Sequence, residues 1–358
     1  MKHVPFYDPL ISYEDNYEKG PFGEFASDEI VKEHGEPAFN FLGHKVYSLF
    51  GIPAGPVINS NFVRGAFNNG FDIVVYKTVR SGEYPCHPFP NVLSVQLKED
   101  LTLQRAQSPL IVSSSYEEPL SITNSFGVPS KEAQEWQSDV KKALTYVNKG
   151  QVLVLSFMGT VHEGQSEEEF IEDFRKAARY AKETGAPILE VNLSCPNIGN
   201  EGLVCYNLDA TEKILQAIRE EIGSTPLIVK TGYFEDESKL NTFVRIVSTY
   251  AQAIAAINTI AATVTNQDGS QALPGNAVRL KSGICGASIK WANLDMVSKL
   301  SAIRQQQKYN FTIIGVGGIM NAADYQEVMN AGADAAMSAT GAMWNPQLAK
   351  EVKQSISV

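Results

Sequence analysis

The sequence predicts an α/β protein folded as a (β/α)8 barrel, the TIM-barrel class, with an N-terminal extension and a long insertion after strand 2. From about Tyr47 onward, short β-branched runs alternate with helical patterns, the signature of successive βα units and a parallel sheet. The last two runs are followed by small-residue turns, Gly315-Val316-Gly317-Gly318-Ile319 and Ser338-Ala339-Thr340-Gly341. Those are the positions where such barrels commonly bind phosphate. A chain of 358 residues is long enough for one barrel with additions.

The strands are expected at 49–52, 73–76, 152–155, 188–191, 227–230, 259–262, 312–315 and 335–337, each a short apolar, mostly β-branched run. Between them, Trp136, Val140, Ala143, Leu144 and Val147 keep the spacing of one buried helical face, with Gly150 placed to end the helix. Phe170, Phe174, Ala177, Ala178 and Ala181 repeat that spacing after a capping box from Ser166 to Glu169, and Gly185 follows. A third helix starts at Asp209 and presents Leu215, Ile218 and Ile222; further helices are expected at 237–251, 293–307, 322–331 and 346–356.

Two stretches do not fit the repeat. Residues 1–45 carry Phe6, Tyr7, Tyr13, Tyr17, Phe22, Phe25, Phe39 and Phe41, too many aromatics for a solvated tail, and are expected to pack on the barrel formed by 46–358. Residues 81–130 are too long for a structureless loop within a domain. Pro85, Pro88 and Pro90 suggest an extended excursion at the catalytic face, a lid or substrate wall.

Composition narrows the function. Apolar residues make up 44%, and 30 Lys+Arg against 40 Asp+Glu give a net charge of −10, which disfavours nucleic acid and anionic membrane as partners. The N-terminus lacks a signal-peptide core, and the most apolar run, near Ile254 to Val264, is too short to span a bilayer, so a cytoplasmic protein is expected. Four cysteines, Cys86, Cys195, Cys205 and Cys285, without CxxC spacing argue against a disulfide framework, a zinc ribbon or an iron–sulfur cluster, and no metal is expected.

Barrel chemistry sits at the C-terminal ends of the strands. Strand 4 is followed by Asn192-Leu193-Ser194-Cys195-Pro196-Asn197, where amides, a hydroxyl and a thiol can read a flat polar ring while a thiolate takes a proton. Each residue alone has a plainer explanation, since cysteine is often a small buried hydrophobe and Asn and Ser form turns. Lys77 ends strand 2 and Lys230 ends strand 5; lysines after buried runs are costly unless they meet an anion, although a single one could snorkel. Gly283-Ile284-Cys285-Gly286 offers a third wall for the phosphate, or a flexible turn.

These residues resemble class 1 dihydroorotate dehydrogenases, closest to the cytosolic single-subunit group. The resemblance rests on the Asn192 to Asn197 hexapeptide, Asn124-Ser125-Phe126-Gly127-Val128-Pro129, Lys77-Thr78, Val229-Lys230, Val264-Thr265-Asn266 and the Gly315 to Ile319 turn, in that family's order, and covers residues 52–344. It implies an FMN-containing barrel that oxidises dihydroorotate to orotate in pyrimidine biosynthesis. Cys195 would remove the proton from substrate C5 while hydride leaves C6 for FMN, with Ser194 beside it. Lys230 would lie near the flavin N1/O2 edge, and Lys77 between flavin and substrate. Asn124, Asn192, Asn197 and Asn266 would hold the pyrimidine, with Gln267 alongside, and backbone N–H groups around Gly127 and Val128 would receive the carboxylate. Ala54, Gly55, Thr78 and Asn192 would lie against the flavin, and Gly286, Gly317, Gly318, Ala339 and Thr340 around its phosphate. The same resemblance implies a homodimer with fumarate as electron acceptor.

The chain departs from the family pattern at Gln267, where serine is usual, at Phe126 and Val128, which replace Met and Leu, and at Ala339, where glycine is common. Rival readings are a dihydropyrimidine dehydrogenase-like flavin enzyme, a dihydrouridine synthase, and a non-redox phosphate-binding barrel using Lys230 as a Schiff-base amine. His162 and His87 are the competing bases, placed after strand 3 and in the excursion.

Overall fold

A computed structural model describes residues 3–194 and 202–356. Eight parallel strands close into one barrel in chain order: β1 (Phe50–Ile52), β2 (Ile73–Val79), β3 (Val152–Phe157), β4 (Ile188–Asn192), β5 (Leu227–Thr231), β6 (Ala253–Ala256), β7 (Thr312–Val316) and β8 (Ala335–Met337). Alternate side chains point inward, and Ile73, Val75, Val152, Val154, Ile188, Ile228, Ala253, Ala255, Ile314, Val316, Ala335 and Met337 form the interior core. Phe41 and Val46, from the hairpin pairing Phe39–Phe41 with His44–Val46, join that core and cap the barrel's N-terminal end.

The helices follow their sequence marks. Glu167–Glu183 begins at a capping box closed in both directions: Glu169 N–H donates to Ser166 Oγ at 3.2 Å and Ser166 N–H to Glu169 Oε2 at 2.8 Å. Leu208–Ile222, Glu237–Tyr250, Lys290–Gln307, Ala322–Asn330 and Leu348–Ile356 lie within a few residues of expectation. The helix bearing Trp136 runs from Ala133 to Leu144, so it stops before Val147. Ser60–Asn68, after β1, is an addition to the sequence reading; Asn59 caps it by accepting from Asn61 N–H at 3.0 Å and Phe62 N–H at 3.3 Å.

The sixth strand lies at Ala253–Ala256 rather than at 259–262. Alanine has low strand propensity, so the run Ala253-Ile254-Ala255-Ala256 carries a weak signal, although all four residues are buried in the barrel. The β-branched residues after it belong to a different sheet. Ile260–Thr265 pairs with Lys281–Gly286 and Leu110–Ser113, and a second, five-stranded barrel closes through Ser121–Asn124 and Ser94–Val95. The 81–130 excursion is therefore largely a sheet at the C-terminal face, completed by a second insertion after β6.

The N-terminal segment is anchored by its aromatics. Phe6 stacks on Phe25 with ring centroids 4.3 Å apart, and Phe6 N–H donates to Met343 O at 3.0 Å, tying the segment to the chain after β8. Asn16, fully buried, accepts from Asp8 N–H at 2.8 Å and donates to Asp8 O and Ser12 O, both at 2.9 Å.

Candidate active site

Inward alternation, followed up each strand, turns from apolar to polar at the C-terminal end. Beyond Val75 comes Lys77, beyond Val154 Ser156, beyond Ile188 Glu190 and Asn192, and beyond Ile228 Lys230. Register places Lys230 beside Asn192 and Ser156 beside Glu190, so these side chains form one polar layer. A bulge in β2 between Tyr76 and Val79 lets Thr78 join it, with its hydroxyl 3.0 Å from Ser156 Oγ.

Above this layer lies a cavity of about 1020 Å³, counting its open mouth. Pro53, Ala54 and Gly55 from the end of β1, Lys77, Thr78, Asn192 and Lys230 form its floor and sides. Burial depresses the Lys77 ammonium to about 7, with help from the Arg80 charge. Lys77 Nζ donates to Thr78 O at 2.9 Å and to Pro129 O, and it lies 5.8 Å from the centre of the Tyr13 ring. Lys230 is also held below its usual value by burial, against the opposing pull of Glu190; its Nζ donates to Ala54 O at 3.3 Å. Burial pushes the Glu190 carboxyl up, opposed by Lys230 and the Ser156 hydroxyl, and Glu190 Oε1 has no hydrogen-bond partner among the described residues. A buried layer with two amines and one carboxyl favours an electron-rich ligand above it.

On the β7–β8 side, Val316, Ala339 and Thr340 line the cavity, and Thr340 Oγ1 is buried with no hydrogen-bond partner among the described residues. Gly317 and Gly318 adopt φ of +121° and +73°, which permits the turn. A Cβ on Gly318 would sit 2.4 Å from Lys290 Cα, so this glycine also serves the approach of helix Lys290–Gln307. Gly286 is likewise needed by the second sheet, since a Cβ there would lie 2.4 Å from Leu120 O. Gly286, Gly317 and Gly318 stand behind the lining rather than in it.

The opposite wall is the turn 125–129, which follows strand Ser121–Asn124. Each carbonyl of this turn accepts a hydrogen bond: Ser125 O from Asn91 Nδ2 at 3.0 Å and Arg279 Nη2 at 3.3 Å, Phe126 O from His87 N–H at 3.0 Å, Gly127 O from Arg80 Nη2 at 3.0 Å, Val128 O from Arg80 Nε at 2.8 Å, and Pro129 O from Lys77. Among the described residues, the N–H groups of Phe126, Gly127 and Val128 donate to no protein acceptor. All three residues are half-buried. Three together beside Asn124 and Lys77 form a receptor for an anion.

The sequence-derived residues divide accordingly. Lys77, Thr78, Ala54, Gly55, Asn124, Val128, Asn192, Lys230, Ala339 and Thr340 line one cavity. Gly127 lies in its wall, and Ser194 adjoins it, its N–H donating to Asn192 Oδ1 at 3.0 Å and its Oγ buried with no partner among the described residues. Cys195 and Asn197 lie outside the described residues.

Asn266 and Gln267 require correction. Both are exposed, in a turn where Asn266 Nδ2 donates to Ser270 Oγ at 3.0 Å, and neither lines the cavity. Asn258 and Thr259, directly after β6, stand there instead. The displacement follows from the misplaced sixth strand, and the apparent Gln267 departure disappears with it. His162 is exposed and His87 packs behind Gly127; neither lines the cavity. Tyr7, Tyr13, Cys285 and Met343 also line it; only the aromatic richness of the N-terminal segment hinted at the two tyrosines.

Fold and site together define a (β/α)8 barrel with a polar cavity at the C-terminal ends of its strands. The model of the dihydroorotate dehydrogenase family matches residues 107–358. The chain is 39% identical over 357 residues to a dihydroorotate dehydrogenase of Dictyostelium discoideum, covering 96% of this chain and 95% of that one. It is 27% identical over 219 residues to the catalytic subunit of a dihydroorotate dehydrogenase B (NAD(+)) from Methanocaldococcus jannaschii, covering 61% and 65% of the two chains. A solved dihydroorotate dehydrogenase of Eimeria tenella, in complex with ferulenol, shares the fold with a TM-score of 0.65 at 18% identity, covering 88% of this chain and 82% of that one. The chain belongs to the dihydroorotate dehydrogenase family and is an oxidoreductase acting on CH–CH groups.

Proposed function

We propose that this chain oxidises dihydroorotate to orotate in pyrimidine biosynthesis, with FMN in the strand-end cavity and the substrate carboxylate on the 125–129 turn. The observation that carries the reading is that turn, with every carbonyl accepting a hydrogen bond and three N–H groups without a protein acceptor among the described residues. A carboxylate uses those donors, whereas a neutral pyrimidine offers them no anion.

The cavity residues suit FMN. Ala54 and Gly55 leave space over β1, where a Cβ on Gly55 would meet nothing within 4 Å. Lys230 supplies a buried cation for the pyrimidine edge of the flavin, and the Thr340 hydroxyl supplies a donor for the phosphate, with the 317–318 turn behind it. When bound, FMN supplies the hydride acceptor. Asn124, Asn192 and Asn258 orient the substrate ring through donors and acceptors that add no charge. Lys77 pairs with its carboxylate side, Asn197 adds a further amide, and Cys195 Sγ takes the C5 proton.

Fumarate as acceptor, a homodimer and a cytoplasmic location complete the proposal. In its favour, the Dictyostelium relative matches over nearly its whole length, whereas the NAD-linked catalytic subunit from Methanocaldococcus matches over 65% of its own. Among the described residues no helix is long and apolar enough to cross a membrane, and no cluster of metal-ligating side chains is found. The decisive experiment is to record the visible spectrum of the purified protein and titrate it with orotate and, separately, uracil. A flavin spectrum perturbed more tightly by orotate supports the proposal; a colourless protein, or a response to uracil alone, refutes it.

A further inference from the structure

The polarity of the carboxylate-binding turn is imposed from outside the cavity. In a trans peptide the C=O of one residue and the N–H of the next point in opposite directions. The open N–H of Phe126 is thus opposed by Ser125 O, held by Arg279 and Asn91, and that of Gly127 by Phe126 O, held by His87 N–H. The open N–H of Val128 is opposed by Gly127 O, held by Arg80.

Arg80 is built into this arrangement more firmly than the others. Only 6% exposed, it spans from the turn to the end of β3, with Nη1 3.1 Å from Thr160 Oγ1. Its backbone is pinned on both sides, N–H donating to Ser130 Oγ at 3.1 Å and C=O accepting from Trp136 Nε1 at 3.1 Å. The guanidinium lies 4.0 Å from the centre of the Tyr84 ring, which fixes its plane. It holds a backbone that would otherwise relax: Gly127 has φ +76° and Val128 φ +54°, a left-handed conformation that a β-branched residue seldom adopts.

We propose, building on the functional reading above, that Arg80 is a positioning residue that makes this site select a carboxylated pyrimidine over an uncharged one. Its fork fixes two peptide planes, and its charge polarises the Gly127–Val128 peptide so that the Val128 N–H becomes a stronger donor to an anion. Arg80 does not line the cavity, so its fork acts only on ligands that use the turn's N–H groups as an anion receptor, while its charge also lowers the Lys77 ammonium. Loss of the guanidinium therefore acts on the ligand's charge and not on its ring.

The test uses the flavin-loaded protein and two probes of equal shape, orotate and its uncharged carboxamide, with dissociation constants from calorimetry. Arg80→Gln is expected to weaken orotate about 10- to 100-fold, the range for a charge-assisted contact, and the carboxamide less than about threefold. Arg80→Lys, which keeps the charge without the fork, is expected to recover part of the orotate affinity. It also supplies the measurement should the glutamine variant fail to fold, by weakening orotate more than the carboxamide. Equal losses for the two probes, or unchanged orotate affinity, would overturn the proposal. Failure of the unaltered protein to bind orotate at all would instead overturn the functional reading on which it rests.

Discussion

Lys77 makes orotate affinity a function of pH, with a sign and a size that the structure sets. Burial places its ammonium at about 7 in the free protein, so near neutrality it is roughly half charged. In the proposed complex orotate adds a carboxylate on the turn whose Pro129 carbonyl accepts from Lys77 Nζ. At a separation on the order of 5 Å and an effective dielectric near 20, the attraction is about 3.3 kcal/mol, enough to raise the Lys77 pKa in the complex by about 2.4. Below pH 7 the amine is charged in both states and affinity is flat. From about pH 7 to 9 the free protein loses the proton and the complex keeps it, so each pH unit weakens binding about tenfold and binding takes up close to one proton. Above both pKa values the affinity levels off again, on the order of 200-fold weaker. Orotate titrations of the flavin band from pH 6 to 10, with calorimetry at pH 8 in two buffers of different ionisation enthalpy, measure slope and proton count. Cys195→Ala should keep the slope, which separates Lys77 from the thiol. A dissociation constant unchanged from pH 6 to 9, or no proton uptake at pH 8, refutes the reasoning.

Asn258→Ala should weaken orotate about 10- to 100-fold by removing a buried hydrogen bond, whereas Asn266→Ala and Gln267→Ala should each change it less than about twofold; equal effects would contradict the assignment of the strand-6 site. Cys195→Ala should slow flavin reduction by dihydroorotate on the order of 10²- to 10⁴-fold in stopped-flow while orotate still binds, and near-normal reduction would remove the thiol as base. Gly51→Ala should destabilise the barrel by about 3 kcal/mol or more, because its Cβ would lie 2.1 Å from Ile73 O; an unchanged urea midpoint would show that β1 and β2 can separate locally.

The barrel was legible wherever a strand carries its own signal. β2, β3, β4, β5 and β7 are rich in β-branched residues because their walls are packed by large side chains on both faces, and each lies within a few residues of its expected place. β6 is the exception, since its inward positions are Ala253 and Ala255, and small residues that suit a crowded interior look indifferent in sequence. The second sheet was hidden for a different reason. Ser121–Asn124 pairs with Lys281–Gly286, about 160 residues away, and no local pattern announces a partner at that distance. The prolines of the excursion are real features of its loops, but they obscured the short strands between them.

One strand error explains the main error in the site. Val264-Thr265-Asn266 does end a strand, so it imitates a barrel strand end; that strand belongs to the second sheet, and its end faces solvent. Lys77 and Lys230 escaped such confusion because a charge closing a long apolar run is informative whatever the topology. The division of labour in the pocket follows from the same geometry. Period-two alternation makes the barrel supply the layer beneath the cavity, Lys77, Ser156, Glu190, Asn192 and Lys230, from strands whose positions are fixed by closure. The substrate wall comes from additions to the barrel: Tyr7 and Tyr13 from the N-terminal segment, 5.7 and 6.1 Å from the Phe126 ring, and the 125–129 turn, braced by Arg279 from the second insertion. Sequence changes in those additions can therefore alter which ring is bound, while the polar layer beneath the cavity stays in place.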